Sequence, residues 1–219
     1  MSRLRVHNLS ISLDGYVAGP HQDLDHPIGI GGPALHEWVF ATAYGQRMLG
    51  ESGAETPDGI DDTFLRQGDE GIGATIMGRN MFGPIRGDWP DEAWTGWWGP
   101  EPPYHHEVFV LTHHARAPLT MDGGTTFHFV TEGIERALAL ATDAAGGADV
   151  RLGGGASTVR QYLRAGLVDE LHLAIVGVVL GSGERLFDDG VVAPDGFECA
   201  EMVSTGTVTH VRLVNRRHT

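Results

Sequence analysis

The segment VRLGGGASTVRQYLRAG, residues 150–166, restricts the possible folds of this chain more than any other. Its pattern predicts a strand that ends at Leu152, a glycine bend at 153–155, and a helix over 157–165. Glycines tolerate positive φ and allow other atoms to approach the backbone closely. The start of a helix offers free N–H groups and the positive end of a dipole. The segment therefore suits a pyrophosphate, unless its glycines serve only tight packing of the strand against the helix.

Two further strand ends carry polar or glycine residues. In ATIMGRNMFG, Gly78 and Arg79 follow a predicted strand over 74–77, and Arg79 offers a charge-assisted contact to a phosphate. In VFVLTHHAR, Thr112 follows a predicted strand over 108–111, and Thr112, His113 and Arg116 suit a 2′-phosphate. Open α/β sheets bind ligands at the carboxyl ends of their strands. The alternatives are a surface arginine after a turn and a solvated loop.

Hydrophobic periodicity predicts an α/β fold. A first strand ends before Asp14-Gly15, and further strands are predicted over 126–130, 149–152 and 170–180. Helices are predicted over 34–49, 61–70, 134–145 and 157–165, with Val159, Tyr162 and Leu163 as the core stripe of the last. Strands over 197–204 and 208–215 form a C-terminal antiparallel hairpin. We expect a mostly parallel central sheet flanked by helices, in a single domain over residues 1–219.

The segment 83–106 holds four of the five tryptophans and five prolines. Disordered segments are poor in aromatic residues, so an ordered flap that buries its rings is the better interpretation. Its tryptophans either cover a flat aromatic substrate or belong to the core or to a dimer interface. Trp38 and Trp94 are the candidates for lining a substrate site, although aromatic clusters more often serve packing.

Charge and composition exclude several classes of function. The net charge of −14 argues against nucleic-acid and anionic-membrane binding. All fifteen basic residues are arginine, which excludes Schiff-base chemistry on a side-chain amine and a P-loop lysine. The single cysteine, Cys199, excludes disulfides, and the adjacent histidine pairs at 105–106 and 113–114 lack metal-ligand spacing, so no metal is expected. No apolar stretch is long enough to span a bilayer, and a cytoplasmic protein is the default expectation.

Four motifs in a fixed order resemble a known superfamily. MGRNMFG and LGGGAS resemble the Gly-Arg segment and the glycine triplet of dihydrofolate reductases. ISLDGYVAG and GLVDELHLAIVGVVLGSGERLF resemble the reductase domain of riboflavin biosynthesis and its relatives. The resemblance extends from Leu4 to Leu213. It implies a dihydrofolate reductase-like fold, the cofactor NADPH and a homodimer.

The resemblance also implies roles for individual residues. Gly78, Arg79 and Asn80 would hold the cofactor phosphates, and Thr112 with Arg116 the adenosine 2′-phosphate. The pyrophosphate would lie on Gly153, Gly154, Gly155, Ala156 and Ser157, and the nicotinamide ring would be approached by Val17 and Ala18. Asp14, beside that ring, would orient or protonate a substrate nitrogen. The alternative for Asp14 is a turn residue whose side chain bonds its own backbone.

Two functional hypotheses follow. The first is an NADPH-dependent reductase that transfers a hydride to a small heterocyclic or imine-like substrate. The second is a non-catalytic nucleotide- or small-molecule-binding module that retains the fold. Gly153 stands where the riboflavin enzyme has a glutamate, and Tyr16 where it usually has a basic residue, which favours the second hypothesis. Turnover of NADPH with a panel of pterins, flavin precursors and imines distinguishes them.

Overall fold

The structure, a computed structural model, describes residues 2–48, 59–187 and 196–216. Its strands are β1 (Leu4–Ser12), β2 (Tyr16–Ala18), β3 (Ile72–Gly78), β4 (Glu107–Leu111), β5 (Leu119–Thr120), β6 (Thr126–Val130), β7 (Asp149–Gly154), β8 (Glu170–Val176), β9 (Glu184–Arg185), β10 (Phe197–Ser204) and β11 (Val208–Asn215). Its α-helices are α1 (Glu37–Phe40), α2 (Ala43–Met48), α3 (Ile60–Asp69), α4 (Arg79–Phe82), α5 (Ile134–Ala144) and α6 (Ala156–Arg164). Two short 3-10 helices cover Gly32–Leu35 and Asp122–Gly124.

The chain forms two compact units, which are described separately. The first comprises residues 1–6 and 71–168, and the second residues 7–70 and 169–219. Strand β1 therefore contributes its beginning to the first unit and the rest to the second. The expectation of one domain over residues 1–219 stays a prediction.

The first unit holds a mostly parallel sheet in the order β1-β7-β3-β4-β6-β5. Every neighbouring pair is parallel except β5 and β6. Helix α6 buries Val159, Tyr162 and Leu163, as its spacing predicts, and Gly166 follows it with a φ of 67°. The Tyr162 hydroxyl donates to the carbonyl oxygen of Ile134 at 2.8 Å and so ties α6 to α5. Parallel strands with covering helices explain the apolar runs in this part of the sequence.

The strands of the second unit follow the order β10-β11-β8-β1, and the antiparallel pairs are β10 with β11 and β11 with β8. Strands β10 and β11 form the C-terminal hairpin with the bounds that the sequence predicts, and β11 pairs antiparallel with β8. Strands β2 and β9 form a separate two-stranded sheet that the sequence did not predict. The core of this unit joins Leu35, Trp38, Leu65, Ala174, Val176 and Val208. The predicted α/β class, with a mostly parallel sheet and a C-terminal hairpin, is confirmed.

The single helix predicted over 34–49 is wrong. The described part of this range forms the 3-10 helix, α1 and α2, with a break at Ala41 and Thr42. The Thr42 hydroxyl donates to the carbonyl oxygen of Val39 at 2.7 Å and accepts from the N–H of Gly45 at 3.0 Å. Threonine side chains that bond nearby backbone in this way compete with the helical hydrogen bonds. A local side-chain contact therefore interrupts an otherwise helical pattern.

Strand β8 is also shorter than the predicted range of 170–180. It ends at Val176, and the N–H of Val178 then donates to the carbonyl oxygen of Val176 at 2.8 Å. An i to i+2 bond of this kind is typical of a tight turn at a strand end. The carbonyl oxygen of Val178 accepts from the N–H of Leu13 at 2.9 Å. The residues after Val176 therefore turn toward the end of β1 and no longer continue the strand.

Candidate functional site

Three strand ends meet at one edge of the first unit. In the parallel register Gly78 lies opposite Leu111, and Met77 lies opposite Gly154. The hydroxyl oxygen of Thr112, which follows Leu111, accepts a hydrogen bond from Nη1 of Arg79 at 3.4 Å. The structure thus brings together the three groups of residues that the sequence marks separately. We call the residues at this edge the phosphate rim: 78–80, Thr112 and 153–157.

The glycine bend leaves open space next to the start of α6. A Cβ built on Gly155 meets nothing within 4 Å, although a Cβ on Gly78 would lie 2.3 Å from the Thr158 hydroxyl oxygen. Gly154 has a φ of 135°, which side chains rarely adopt. Gly155 is the N-cap of α6 and provides no side-chain cap. The N–H groups of the first turn therefore face a space that an anion can occupy.

Arg79 carries the orphaned donors of the rim. Its Nε and Nη2 atoms are buried and have no hydrogen-bond partner. Burial, and then the positive charge of Arg86, lower the pKa of the Arg79 guanidinium, and Asp88 acts in the opposite direction. Buried N–H groups without partners are costly, and each calls for an explanation. A bound phosphate would satisfy both donors at once.

Thr112 and Arg116 are held by neighbouring backbone. Thr112 is 8% exposed, and its hydroxyl oxygen accepts from the N–H of His114 at 3.1 Å, so the alternative of a solvated loop does not fit it. Arg116 donates to the carbonyl oxygens of Trp94 at 2.7 Å and Glu92 at 2.8 Å. Arg116 thus anchors the tryptophan-rich segment. Its expected contact with a 2′-phosphate stays a prediction.

The carboxylate of Asp14, in the second unit, accepts hydrogen bonds from backbone N–H groups. Its carboxylate accepts from the Ser12 hydroxyl at 2.6 Å and from the N–H groups of Leu180 at 3.1 Å and Gly181 at 2.6 Å. The Ser12 hydrogen bond, followed by the Gly181 and Leu180 donors, lowers the pKa of Asp14 to about 2. The hydrogen bonds from Leu180 and Gly181 agree with a structural role, and the expected role of Asp14 toward a substrate nitrogen stays a prediction. No local pattern indicates these hydrogen bonds to Leu180 and Gly181.

Val17 and Ala18 lie on β2 of the second unit, where Ala18 pairs with Glu184 of β9. Asn80 lies on α4 of the first unit, directly after Arg79, and is half-buried. The cofactor contacts expected of these three residues stay predictions.

The two tryptophans expected to line a substrate site serve packing. Trp38 is 2% exposed, and its indole N–H donates to the hydroxyl of Ser10 at 2.9 Å. A side chain so completely covered leaves no surface for a substrate. The indole N–H of Trp94 donates to the carbonyl oxygen of Phe82 at 3.0 Å, and its ring meets Trp97 edge-on. The structure thus favours the packing alternative for both.

Sequence reasoning missed Trp89, which lies beside the phosphate rim. The guanidinium carbon of Arg79 lies 3.7 Å from the centre of the Trp89 ring, and that of Arg116 lies 4.9 Å from it. The indole N–H donates to the carbonyl oxygen of His114 at 3.0 Å. The position of Trp89 in a tryptophan-rich segment ten residues after Arg79 was the only available signal.

Sequence reasoning also missed a chain of buried histidines in the second unit. The N–H of Asn8 donates to Nδ1 of His172 at 3.0 Å, so this imidazole carries its proton on Nε2. His172 Nε2 lies 3.0 Å from Nδ1 of His210, whose Nε2 lies 3.0 Å from the carboxylate of Asp61. Burial, and then the neighbouring imidazole of His7, lower the pKa of His172 to about 2. His172 lies in the apolar strand β8 and His210 in the apolar strand β11, and a histidine within an apolar strand was the only sequence signal.

The described residues form neither a metal-binding cluster nor a membrane-spanning helix. Within residues 2–48, 59–187 and 196–216, no group of three histidine, cysteine or acidic side chains is placed to hold a metal ion. No helix in the same part of the chain is long and apolar enough to cross a membrane.

Comparisons with known proteins give one family and several similar folds. The model of the RibD C-terminal domain family matches residues 6–211. A protein of Shewanella sp. PV-4, assigned by name to riboflavin biosynthesis, is 20% identical over 99% of this chain and 100% of its own, with a TM-score of 0.59. A pyrimidine reductase-like protein of Corynebacterium diphtheriae is 14% identical over 98% of this chain and 92% of its own, with a TM-score of 0.56.

A third structure is longer. RibD of Acinetobacter baumannii is 16% identical over 98% of this chain, with a TM-score of 0.53, and this chain spans 58% of its length. No curated protein matches the chain. At these identities the structures show the fold alone, which is the dihydrofolate reductase-like α/β fold expected from the motifs.

Proposed function

The chain belongs to the RibD C-terminal domain family, and on this premise we propose that it is an NADPH-dependent reductase of a small heterocyclic or imine-like substrate. The names of the similar structures, one from riboflavin biosynthesis and one pyrimidine reductase-like, support a reductase. The single observation that carries the choice of cofactor is Arg79, whose two buried N–H donors lack partners at the phosphate rim.

The rim fits the phosphates of the cofactor on two counts. The space beside Gly155 is open, so a phosphate can approach the first-turn N–H groups of α6. The guanidinium of Arg79 presents a planar set of donors that matches phosphate oxygens. Because this chain has no lysine, any phosphate it binds must be held by arginine, backbone N–H groups or hydroxyls. When bound, the reduced nicotinamide supplies the hydride, and the protein contributes binding, orientation and exclusion of water.

A binding module without turnover is the second candidate. The observation that favours it is the carboxylate of Asp14, which already accepts hydrogen bonds from the Ser12 hydroxyl and from the N–H groups of Leu180 and Gly181. Steady oxidation of NADPH with any pterin, flavin precursor or imine would decide for the reductase. Formation of a homodimer stays a prediction of the family resemblance.

Titration of the pure protein with NADPH and with NADH tests the proposal. We expect saturable NADPH binding, measured by calorimetry, and weaker NADH binding because NADH lacks the 2′-phosphate that the arginines attract. Failure to bind either nucleotide at millimolar concentration would exclude both the reductase and a nicotinamide-binding module.

Filling the open space beside Gly155 is expected to weaken phosphate binding. The backbone of Gly155 has φ −74° and ψ −172°, which valine adopts readily, and an added Cβ meets no atom within 4 Å. We expect Gly155→Val to weaken NADPH binding by more than about tenfold, because the side chain occupies the phosphate position. Calorimetry measures the affinity and thermal unfolding the stability.

Gly206→Val is the matched control, because a Cβ on Gly206, in the turn of the C-terminal hairpin, also meets nothing within 4 Å. This variant should bind NADPH like the unmodified protein. Equal affinities of Gly155→Val and Gly206→Val would contradict the assignment of the glycine bend.

A further inference from the structure

Trp89 is in contact with two guanidinium groups at the phosphate rim, and neither the family motifs nor the proposed function accounts for it. The guanidinium carbon of Arg79 lies directly over the indole, 3.7 Å from the ring centre. The guanidinium carbon of Arg116 lies 4.9 Å from the same centre. The face of an indole ring attracts cations more strongly than that of any other aromatic side chain. One tryptophan therefore contacts both arginines at this edge of the first unit.

The Trp89 ring is itself fixed. Its N–H donates to the carbonyl oxygen of His114 at 3.0 Å. Phe82 and Phe129 meet it edge-on, with ring centres 6.1 and 5.4 Å away. The imidazole of His114 bonds in turn to the carboxylate of Asp88 at 2.7 Å. A ring held on its edge and at its N–H presents an immobile face to Arg79.

The charges around this ring favour an anion. Burial lowers the pKa of the Arg79 guanidinium most, and the positive charges of Arg86 and then Arg116 lower it further, so each of these two arginines repels Arg79. Asp88 opposes this effect at Arg79, and Glu92 and Asp91 oppose burial at Arg116, but all three carboxylates are exposed and therefore screened by water. Repulsion between like charges is relieved when an anion binds among them. The two unpartnered donors of Arg79 are the nearest groups able to bind it.

We propose that Trp89 is a positioning residue that holds Arg79 flat for a phosphate monoester and thereby sets the preference for NADPH over NADH. A guanidinium already fixed in its bound geometry loses less conformational freedom when the phosphate arrives. Trp89 does not touch the ligand and acts through Arg79. The inference rests on the proposed function, because it assigns the 2′-phosphate of that cofactor to this cluster.

The test compares the affinities of Trp89 variants for 2′,5′-ADP, which carries the additional phosphate, and for 5′-AMP, which lacks it. We expect Trp89→Leu to weaken 2′,5′-ADP binding by about tenfold and to leave 5′-AMP binding nearly unchanged. Trp89→Phe, which keeps an aromatic face, should restore most of the preference. Trp97→Phe is the matched control, because Trp97 belongs to the same segment and packs edge-on against Trp94.

If Trp89 had a merely structural role, its replacement would weaken the binding of both ligands equally. An unchanged ratio of the two affinities in Trp89→Leu would therefore overturn the inference. If that variant fails to fold, Trp89→Phe decides, since its ratio must then lie below that of the unmodified protein and of Trp97→Phe. Absence of 2′,5′-ADP and NADPH binding by the unmodified protein would overturn the proposed function itself. The two failures are thus distinguishable.

Discussion

Replacing Arg79 with alanine is expected to weaken NADPH binding by about 150-fold or more. Hydrogen bonds to a charged group contribute about 1.5–3 kcal/mol each, and the variant removes the donors Nε and Nη2 that lack any other partner. Two opposite effects act on the stability, because the variant removes a charge that Arg86 repels but also the contact of that charge with the Trp89 ring. Calorimetric titration measures the affinity, and chemical denaturation measures the stability.

Two further variants are compared with Arg79→Ala: Arg79→Lys, which keeps the charge, and Arg136→Ala, which is the control. Lysine keeps the charge without the planar set of donors, so we expect an intermediate affinity. Arg136 is an exposed residue of α5, and its replacement should leave NADPH affinity unchanged. Identical affinities of Arg79→Ala and the unmodified protein would show that the phosphates do not bind at this rim.

The free energy of unfolding is expected to fall by about 1.4 kcal/mol per pH unit below pH 6.5, as a result of His172 alone. Its pKa is about 2 in the folded protein and about 6.5 when unfolded. Between these values only the unfolded chain binds the proton, so acid favours unfolding. The contribution reaches about 3 kcal/mol at pH 4.5. Urea denaturation at several pH values measures this slope.

His172→Gln removes this titration and should flatten the slope between pH 6.5 and 4.5. The variant is expected to be less stable at pH 7, because the N–H of Asn8 loses the acceptor that His172 Nδ1 provides. His113→Gln replaces an exposed histidine and serves as the control, with the slope of the unmodified protein. A slope that is the same in all three proteins would show that His172 is protonated in the folded state.

The parts of the fold that follow from local patterns were predictable from the sequence. The two strands of the C-terminal hairpin flank the short turn Thr205-Gly206-Thr207, and their predicted bounds are confirmed. The core stripe of α6 depends only on helical spacing, and it is also confirmed. The three strand ends of the phosphate rim were predictable because parallel strands place their carboxyl ends at the same edge of a sheet.

The rest depends on contacts between residues far apart in sequence. His210 bonds Asp61 across 149 residues, and Asn8 bonds His172 across 164. No periodicity within a strand or helix indicates such a partner. The same holds for the Trp89 ring, whose N–H bonds a carbonyl oxygen 25 residues away. The broken helix at Thr42 differs, because a short-range hydroxyl contact there outweighs a correct apolar pattern.

The difference between Gly78 and Gly155 bears on how this rim can be redesigned. A Cβ at position 78 would lie 2.3 Å from the Thr158 hydroxyl oxygen, so any larger residue there forces Thr158 to move, with or without a ligand. Position 155 has room for a side chain, so residues of different size can be placed there to change the space left for a cofactor phosphate. Mutant libraries aimed at new cofactors should therefore vary Gly155 and keep Gly78.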